Sequence, residues 1–196
     1  MPHAPFALRL ALPALVLALP LAGAAAQGRD TTKSPAAATP TIPPPVARAG
    51  DVASIDAIIE ALYDVISGPA GQKRDWDRFR SLFAPGARLI VARPLETGGA
   101  QAVVMDPERY VERAGPGLER DGFFERELSH KTETFGNIAH RFSTYDSRRA
   151  EDDAEPFARG INSIQLLKDG GRWWVVTVFW DSERPGSPIP RAYLPN

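Results

Sequence analysis

Two kinds of hydrophobic spacing follow one another along the chain. Between residues 51 and 66 apolar residues recur at steps of three and four, which is the spacing of one face of an α-helix. The members of this set are Val52, Ile55, Ile58, Ile59, Leu62, Val65 and Ile66. Either Asp51 or Ser54 is a suitable N-cap, and Gly68-Pro69 ends the predicted helix.

Two further helices are predicted from their termini. The first runs from residue 75 to residue 83 and is stopped by Ala84-Pro85-Gly86. The second begins at Asp106-Pro107-Glu108, which supplies a cap, a proline in the first turn and an acid near the positive end of the helix dipole. We expect this helix to break around Gly115-Pro116-Gly117.

The remaining hydrophobic segments have the length and spacing of strands. They are residues 88–93, 101–105, 125–135, 138–147, 157–168 and 172–181. Gly136-Asn137 and Asp169-Gly170-Gly171 are short links suited to hairpins. The order of helices followed by long strands predicts an α+β domain in which one curved antiparallel sheet wraps around three N-terminal helices and leaves a pocket between them.

The first 26 residues have the pattern of a secretory signal peptide. A short positive start precedes an apolar run from Leu10 to Leu21, and Ala24-Ala25-Ala26 has the A-x-A form of a cleavage site. We predict cleavage after Ala26 and a periplasmic or secreted protein. The alternative is a membrane anchor, but about 20 helix-compatible apolar residues are needed to span a bilayer, so no stable anchor is expected after cleavage.

Two proline-rich segments flank the predicted domain of residues 51–183. Residues 27–50 are rich in Pro, Ala and Thr and are predicted to form a disordered linker. Residues 184–196 form a Pro-rich C-terminal tail, which we also expect to be a flexible tether. The alternative for the tail is that Tyr193 and Leu194 dock back onto the domain.

Composition excludes several classes of function. The chain has 23 basic and 24 acidic residues, so no excess of positive charge favours nucleic-acid binding. It contains no cysteine, which excludes a thiol nucleophile, a disulfide and a thiolate metal site. No phosphate-binding loop, dinucleotide-binding turn, serine nucleophile elbow or His-Glu-x-x-His motif is present, so neither a cofactor nor a metal is predicted.

Several stretches resemble the NTF2-like superfamily, in its SnoaL-like branch. They are Ala61-Leu-Tyr-Asp-Val-Ile-Ser67, Asp75-Trp-Asp-Arg-Phe-Arg-Ser-Leu-Phe83, Gly86-Ala-Arg-Leu89, Phe135-Gly-Asn-Ile-Ala139 and Gly170-Gly-Arg-Trp-Trp-Val-Val176. The resemblance implies a cone-shaped domain with a central cavity, frequent dimerisation through the sheet, and activities that range from ketosteroid isomerases and dehydratases to members that only bind. Fold alone does not select among these activities.

Two residues are candidates for a general base. If Gly136-Asn137 is a two-residue turn, residues whose numbers sum to 273 lie opposite one another, so His140 faces Glu133, which would orient the imidazole and raise its basicity. Asp181 lies on the last predicted strand, and a carboxylate among apolar neighbours has a raised pKa. The alternatives are an exposed charge pair for His140 and a solvated strand end for Asp181.

Candidate ligand-binding residues come from helices and strands alike. Period-two alternation places Asn162 and Asp181 on one face of the last hairpin, together with Thr177 and Phe179. The other candidates are Tyr63, Trp76, Tyr110 and Arg93. Aromatic residues at helical spacing are also typical of an ordinary core, and strand arginines are commonly solvated.

Three functions remain open from the sequence. The domain binds a small, mostly apolar molecule in its cone as a dimer, or it catalyses proton transfer or water addition without a cofactor. The third possibility is an interaction module that uses the exposed face of the sheet. Convergence of His140, Asn162 and Asp181 in one cavity would favour the enzyme.

Overall fold

A computed structural model describes residues 44–195; the predicted signal peptide and residues 27–43 of the predicted linker lie outside this range. The helices are α1 (Ile55–Ile66), α2 (Trp76–Leu82) and α3 (Pro107–Asp121). The strands are β1 (Phe83–Pro94), β2 (Ala100–Met105), β3 (Phe124–Phe135), β4 (Ile138–Arg148), β5 (Ala158–Asp169) and β6 (Arg172–Ser182). Short 3-10 segments cover Ala49–Val52 and Arg191–Tyr193. Within residues 44–195, no helix has the length and apolar character needed to cross a bilayer.

Side-chain caps fix the start of each α-helix. Ser54, one of the two candidates for α1, accepts a hydrogen bond from the backbone N–H of Ala57. Asp75 and Asp106 do the same for α2 and α3 and accept from the N–H groups three residues later. These caps satisfy backbone donors that have no partner inside the helix.

The predicted break in α3 does not occur. The helix continues through Pro116 to Asp121, although proline removes one backbone hydrogen bond. Tertiary contacts hold the last turns: Arg74 donates to the carbonyl of Leu118, and Trp76 packs against Gly115, where an added Cβ would lie 3.1 Å from the indole ring. Packing therefore offsets the local cost of the proline.

The six strands form one sheet in the order β2-β1-β6-β5-β4-β3. Four neighbouring pairs are antiparallel, as predicted, whereas β1 and β6 run parallel. The three helices cover one face of the curved sheet, which we call the inner face, and the core between them includes Ile58, Leu62, Phe79, Leu82, Ile164 and Val175. The predicted α+β fold, a curved sheet wrapped around three helices, is confirmed.

A one-residue bulge in β6 decides which side chains reach the inner face. Leu166 pairs with Val175, but Gln165 pairs with Thr177, so Val176 is the extra residue. Beyond the bulge, every side chain of β6 lies on the face opposite to the one that strict alternation along the strand predicts. Asn162 consequently lies opposite Trp180, and the predicted common face of Asn162 and Asp181 is wrong.

Both proline-rich flanks contribute ordered residues to the domain. Ala47 packs against the core and Val52 is buried, so the folded part begins inside the segment predicted as a linker. The C-terminal tail folds back over the outer face of the sheet, where Ile189 is buried. Tyr193 contacts Phe142 edge to face, and its carbonyl accepts a hydrogen bond of 2.7 Å from Thr144 Oγ1. The tail thus matches the docking alternative and differs from the flexible tether.

Candidate functional site

A cavity of about 310 Å³ lies between the inner face of the sheet and helices α1 and α3. Its volume is at the lower end of the range of small-molecule sites. The apolar wall is formed by Leu62, Ile66, Phe79, Leu89, Ala114, Leu118, Phe123, Phe157, Val178 and Trp180, with Tyr110 beside them. Such a wall suits an uncharged organic molecule, because no Arg, Lys or His is among the described residues that line this cavity.

Glu125 supplies the carboxyl group of the cavity. It is the second residue of β3 and faces Ser147 directly across the strand pair. Ser147 Oγ donates to Glu125 Oε2 over 2.9 Å, and Asn162 Nδ2 lies 3.4 Å from Glu125 Oε1. Both carboxyl oxygens therefore have a neutral donor, and within residues 44–195 neither has a basic partner.

Burial raises the pKa of Glu125 to about 7, with a further contribution from the negative charge of Asp146. Hydrogen bonds from Ser147 and Asn162 act in the opposite direction because they favour the ionised form. A carboxyl group with a pKa near neutrality both accepts and releases a proton at physiological pH, which is the requirement for general acid–base catalysis.

Two tyrosines, Tyr110 and Tyr145, line the same cavity as Glu125. Burial raises the pKa of Tyr110, and the charge of Glu125 adds to the effect. Burial likewise raises the pKa of Tyr145 to about 12, so both phenols stay protonated near neutral pH. Tyr145 bonds Ser182, whereas no side chain within residues 44–195 bonds the hydroxyl of Tyr110, which remains available to a ligand.

A polar groove of about 1270 Å³ lies on the other side of Glu125, between α1 and strands β3 and β4. Glu125 and Tyr63 line both the groove and the apolar cavity. The groove carries charges of both signs, including Asp51, Asp56, Asp64, Glu127, Arg78, Arg126 and Arg141. Glu125 thus separates an apolar compartment from a polar one.

Buried hydrogen bonds connect the cavity with the groove. Asn162 Nδ2 donates to Tyr63 Oη over 3.1 Å, and Tyr63 Oη lies 2.6 Å from Ser143 Oγ. Ser143 Oγ donates to Glu127 Oε1 over 2.6 Å. Glu127 forms an ion pair with Arg141, whose side chain is only 5% exposed.

The structure places the candidate base His140 on the outer face, away from the cavity. It lies opposite Glu133, the predicted partner, with 3.8 Å between Nδ1 and Glu133 Oε2. Its Nε2 atom is 3.0 Å from Ser163 Oγ. His130, the second histidine of the domain, makes no pair with His140; its Nδ1 atom lies 2.9 Å from Glu127 Oε2.

Asp181 also lies on the outer face, together with Thr177 and Phe179, because of the bulge at Val176. Its carboxylate forms an ion pair of 2.6 Å with Arg184. The three residues whose convergence would have favoured an enzyme therefore do not meet; of them, only Asn162 reaches the cavity.

The remaining candidates divide between the cavity and other surroundings. Tyr63 and Tyr110 line the cavity with Asn162. Trp76 instead bonds Glu119 through its indole N–H, and Arg93 is exposed and bonds Gln101 on the neighbouring strand. Among the described residues, no group of three or more His, Cys, Asp or Glu side chains could hold a metal ion.

Sequence reasoning missed Glu125 as a site residue. The segment Glu-Arg-Glu-Leu-Ser-His-Lys from Glu125 onward alternates little between apolar and polar residues, so it does not reveal which face is covered. One signal was available: Glu125 directly follows Phe123 and Phe124, and an acid at the start of a strand beside two aromatic residues is a candidate for burial.

Comparisons with known proteins give structural neighbours only. No protein-family model matches the chain, and no curated protein matches it. The similar solved structures include a protein of unknown function with a cystatin-like fold from Nostoc punctiforme, at 12% identity and TM-score 0.49, covering 66% of this chain and 88% of that one. Also similar is an NTF2-like protein of unknown function from Silicibacter pomeroyi, at 14% identity and TM-score 0.45, covering 66% of this chain and 92% of that one. Another, from Shewanella baltica, has 15% identity and a TM-score of 0.43 and covers 66% of this chain and 91% of that one. The order of helices and strands gives this chain an α+β fold with one curved six-stranded sheet, as the resemblance to NTF2-like proteins implies.

Proposed function

We propose that the cavity binds a small, mostly apolar and uncharged molecule and that Glu125 transfers a proton to or from it. The observation that carries this proposal is the position of Glu125, a carboxyl group that has no basic partner among the described residues and lies at the end of an apolar cavity. Isomerisation and dehydration are the reaction classes that such a group serves with protein side chains alone.

The surroundings of Glu125 fit this chemistry. Asn162 and Ser147 hold the carboxyl group, and the hydroxyl of Tyr110 is a donor for an oxygen atom of the ligand. A donor that stabilises developing negative charge on oxygen typically contributes several kcal/mol to catalysis, about 3 in measured cases. An enolisable carbonyl compound is the simplest ligand that uses both a base and such a donor.

The test is exchange of carbon-bound hydrogen in D2O, followed by proton NMR with a bicyclic aromatic ketone such as 2-tetralone as the probe. Wild-type protein is expected to accelerate exchange next to the carbonyl, and Glu125→Gln is expected to lose roughly 100-fold or more of that acceleration. Ala114→Phe, which adds bulk to the cavity wall from α3 and keeps Glu125, should lower binding of the probe. Unchanged exchange in Glu125→Gln would refute the proposal.

We also propose that a second copy of the chain binds the outer face of the sheet. Cross-strand pairing aligns two apolar rows there. Phe135, Ile138, Leu167 and Trp174 form one, and Phe179, Ile90 and Val104 are in the other, next to Phe142, which Tyr193 of the C-terminal tail covers. Phe135 is 83% exposed and Val104 is 56% exposed. Exposed apolar patches of this kind are typical of interfaces.

Sedimentation velocity measures this association directly. The wild-type protein is expected to sediment as a dimer at micromolar concentration, and Phe179→Lys as a monomer, because a buried unpaired charge is strongly unfavourable at an interface. Glu96→Lys, a charge change in the exposed loop between β1 and β2, is the control and should leave the dimer intact. A monomeric wild-type protein would contradict the proposal.

A further inference from the structure

Asn162 lies between the carboxyl group of the cavity and the buried hydroxyl groups behind it. The residue is 7% exposed, and its Nδ2 atom is 3.1 Å from Tyr63 Oη and 3.4 Å from Glu125 Oε1. An amide nitrogen has two hydrogens, so one side chain donates to both groups only when its nitrogen, and not its oxygen, faces them. Half a turn about the last side-chain bond would exchange the two atoms.

The direction of donation is set from the far end of this hydrogen-bonded chain. Glu127 is ion-paired with Arg141, so its carboxylate only accepts hydrogen bonds. The single hydrogen of Ser143 is donated to Glu127. Tyr63 must then donate its own hydrogen to Ser143, which leaves the lone pairs of Tyr63 for a donor, and the nearest donor is the amide of Asn162.

We propose that Asn162 is the positioning residue of Glu125, and that the one-way chain from Glu127 through Ser143 and Tyr63 keeps its amide nitrogen turned toward that carboxyl group. The inference rests on the proposed function, in which Glu125 is the group that transfers the proton. Asn162 itself acts only through Glu125, and the ion pair in the polar groove acts through three intervening side chains.

The groups around Glu125 on the neighbouring helices and strands do not mask the influence of Asn162 on its pKa. On its own side of the sheet they are Tyr63 from α1, Tyr110 from α3, and Ser147 and Tyr145 from β4. Asp146 of β4 lies on the opposite face and acts on Glu125 through its charge. Burial raises the pKa of each of the three tyrosines, so all stay neutral around pH 7. Burial opposes ionisation of Asp146, but hydrogen bonds from Arg148 and Arg126 keep its pKa below the usual value.

The experiment is a pH titration of the Glu125 carboxyl carbon by 13C NMR in the full chain labelled with [5-13C]glutamate. The signal is assigned by its loss in Glu125→Gln. Asn162→Leu removes the donor directly and is expected to raise the midpoint by roughly one pH unit, since a hydrogen bond to a charged group has about that effect. Ser143→Ala leaves Asn162 in place but frees its amide to turn, and is expected to raise the midpoint in the same direction.

Ser81→Ala is the matched control. Ser81 is as buried as Ser143, but its hydroxyl bonds the carbonyl of Arg78 in α2, outside the chain of hydrogen bonds. The titration midpoint of Glu125 in Ser81→Ala should equal that in the wild type. If Asn162→Leu leaves the midpoint unchanged, Asn162 does not position Glu125; if Ser143→Ala alone leaves it unchanged, the one-way chain is refuted.

The titration uses no ligand, so its failure is distinct from failure of the proposed function. Unchanged hydrogen exchange in Glu125→Gln refutes proton transfer by Glu125, whatever the titration shows. An unchanged midpoint in Asn162→Leu refutes the positioning role, even if Glu125→Gln abolishes exchange.

Discussion

Ser147 and Glu125 are direct cross-strand partners, and the serine hydroxyl lies 2.9 Å from one carboxyl oxygen. This bond and the more distant amide of Asn162 stabilise the charged form of Glu125. They compensate only in part for burial, because the pKa of Glu125 still lies at about 7. The protein therefore retains a carboxyl group whose ionisation opposes folding, which is typical of functional sites.

The first prediction concerns the pH dependence of stability. The folded-state pKa of Glu125 is above the ordinary glutamate value of 4.5, so its protonated form stabilises the native state below about pH 4.5, and this contribution is lost as the pH rises through about 7. Glu125→Gln, which carries no charge, is expected to be more stable than the wild type at pH 8, by on the order of 2–3 kcal/mol. Urea unfolding at pH 5 and pH 8 measures the difference. A variant with the same advantage at both pH values would contradict the assignment.

Gly160 is predicted to be intolerant of any side chain. An added Cβ would lie 2.3 Å from the backbone oxygen of Asp181 and 2.5 Å from the hydroxyl of Tyr145. Gly160→Ala is expected to destabilise the protein by about 2–3 kcal/mol, the range of overpacked cores. Gly117→Ala in α3 is the control, since a Cβ added there would meet nothing within 4 Å among the described residues. Thermal unfolding should show a large loss for Gly160→Ala and a small gain for the control.

Arg74 is predicted to be the main polar support of the loop between α1 and α2. Its guanidinium group is buried and donates to the carbonyl oxygens of Ile66, Gly68 and Leu118, among others. Arg74→Met leaves several buried acceptors without partners and is expected to cost roughly 3–5 kcal/mol of unfolding free energy. Lys73→Ala removes an exposed neighbouring charge and should have almost no effect. Chemical denaturation of both variants decides between a structural and a dispensable role.

Docking of the C-terminal tail is predicted to depend on Tyr193. Its ring meets Phe142 edge to face at 5.0 Å and lies under the ammonium group of Lys131 at 4.9 Å. Tyr193→Ala is expected to cost about 1–2 kcal/mol and to increase hydrogen exchange at Thr144 and its neighbours. Arg191→Ala, in the same short 3-10 segment but exposed, is the control. Equal exchange in both variants would show that the ring does not hold the tail.

The features that the sequence predicts well are those set by local chemistry. Ser54 and Asp106 mark helix starts because a cap bonds backbone groups two or three residues away. The Gly136-Asn137 turn fixes the pairing of Glu133 with His140 for a similar reason, since a two-residue link determines the register of its hairpin.

The features that escape prediction depend on distant residues. The bulge at Val176 places Asp181 on the outer face and Trp180 at the cavity. No local sequence pattern predicts this bulge. Glu125 is buried because α1 and α3 cover the start of β3, and this packing between distant segments cannot be inferred from the residues around Glu125. Helix α3 continues past Pro116 because Arg74 and Trp76 hold its end.

The parallel pairing of β1 with β6 has a consequence for how the chain folds. Phe83 of β1 pairs with Val175 of β6, so this pairing cannot form until the last strand is present. By contrast, β3, β4, β5 and β6 each pair with the next strand along the chain. Closing so long a loop is entropically costly, and contacts between distant parts of a chain slow folding. The C-terminal meander should therefore assemble first, and the N-terminal half should join it in a late step, after synthesis of the last strand.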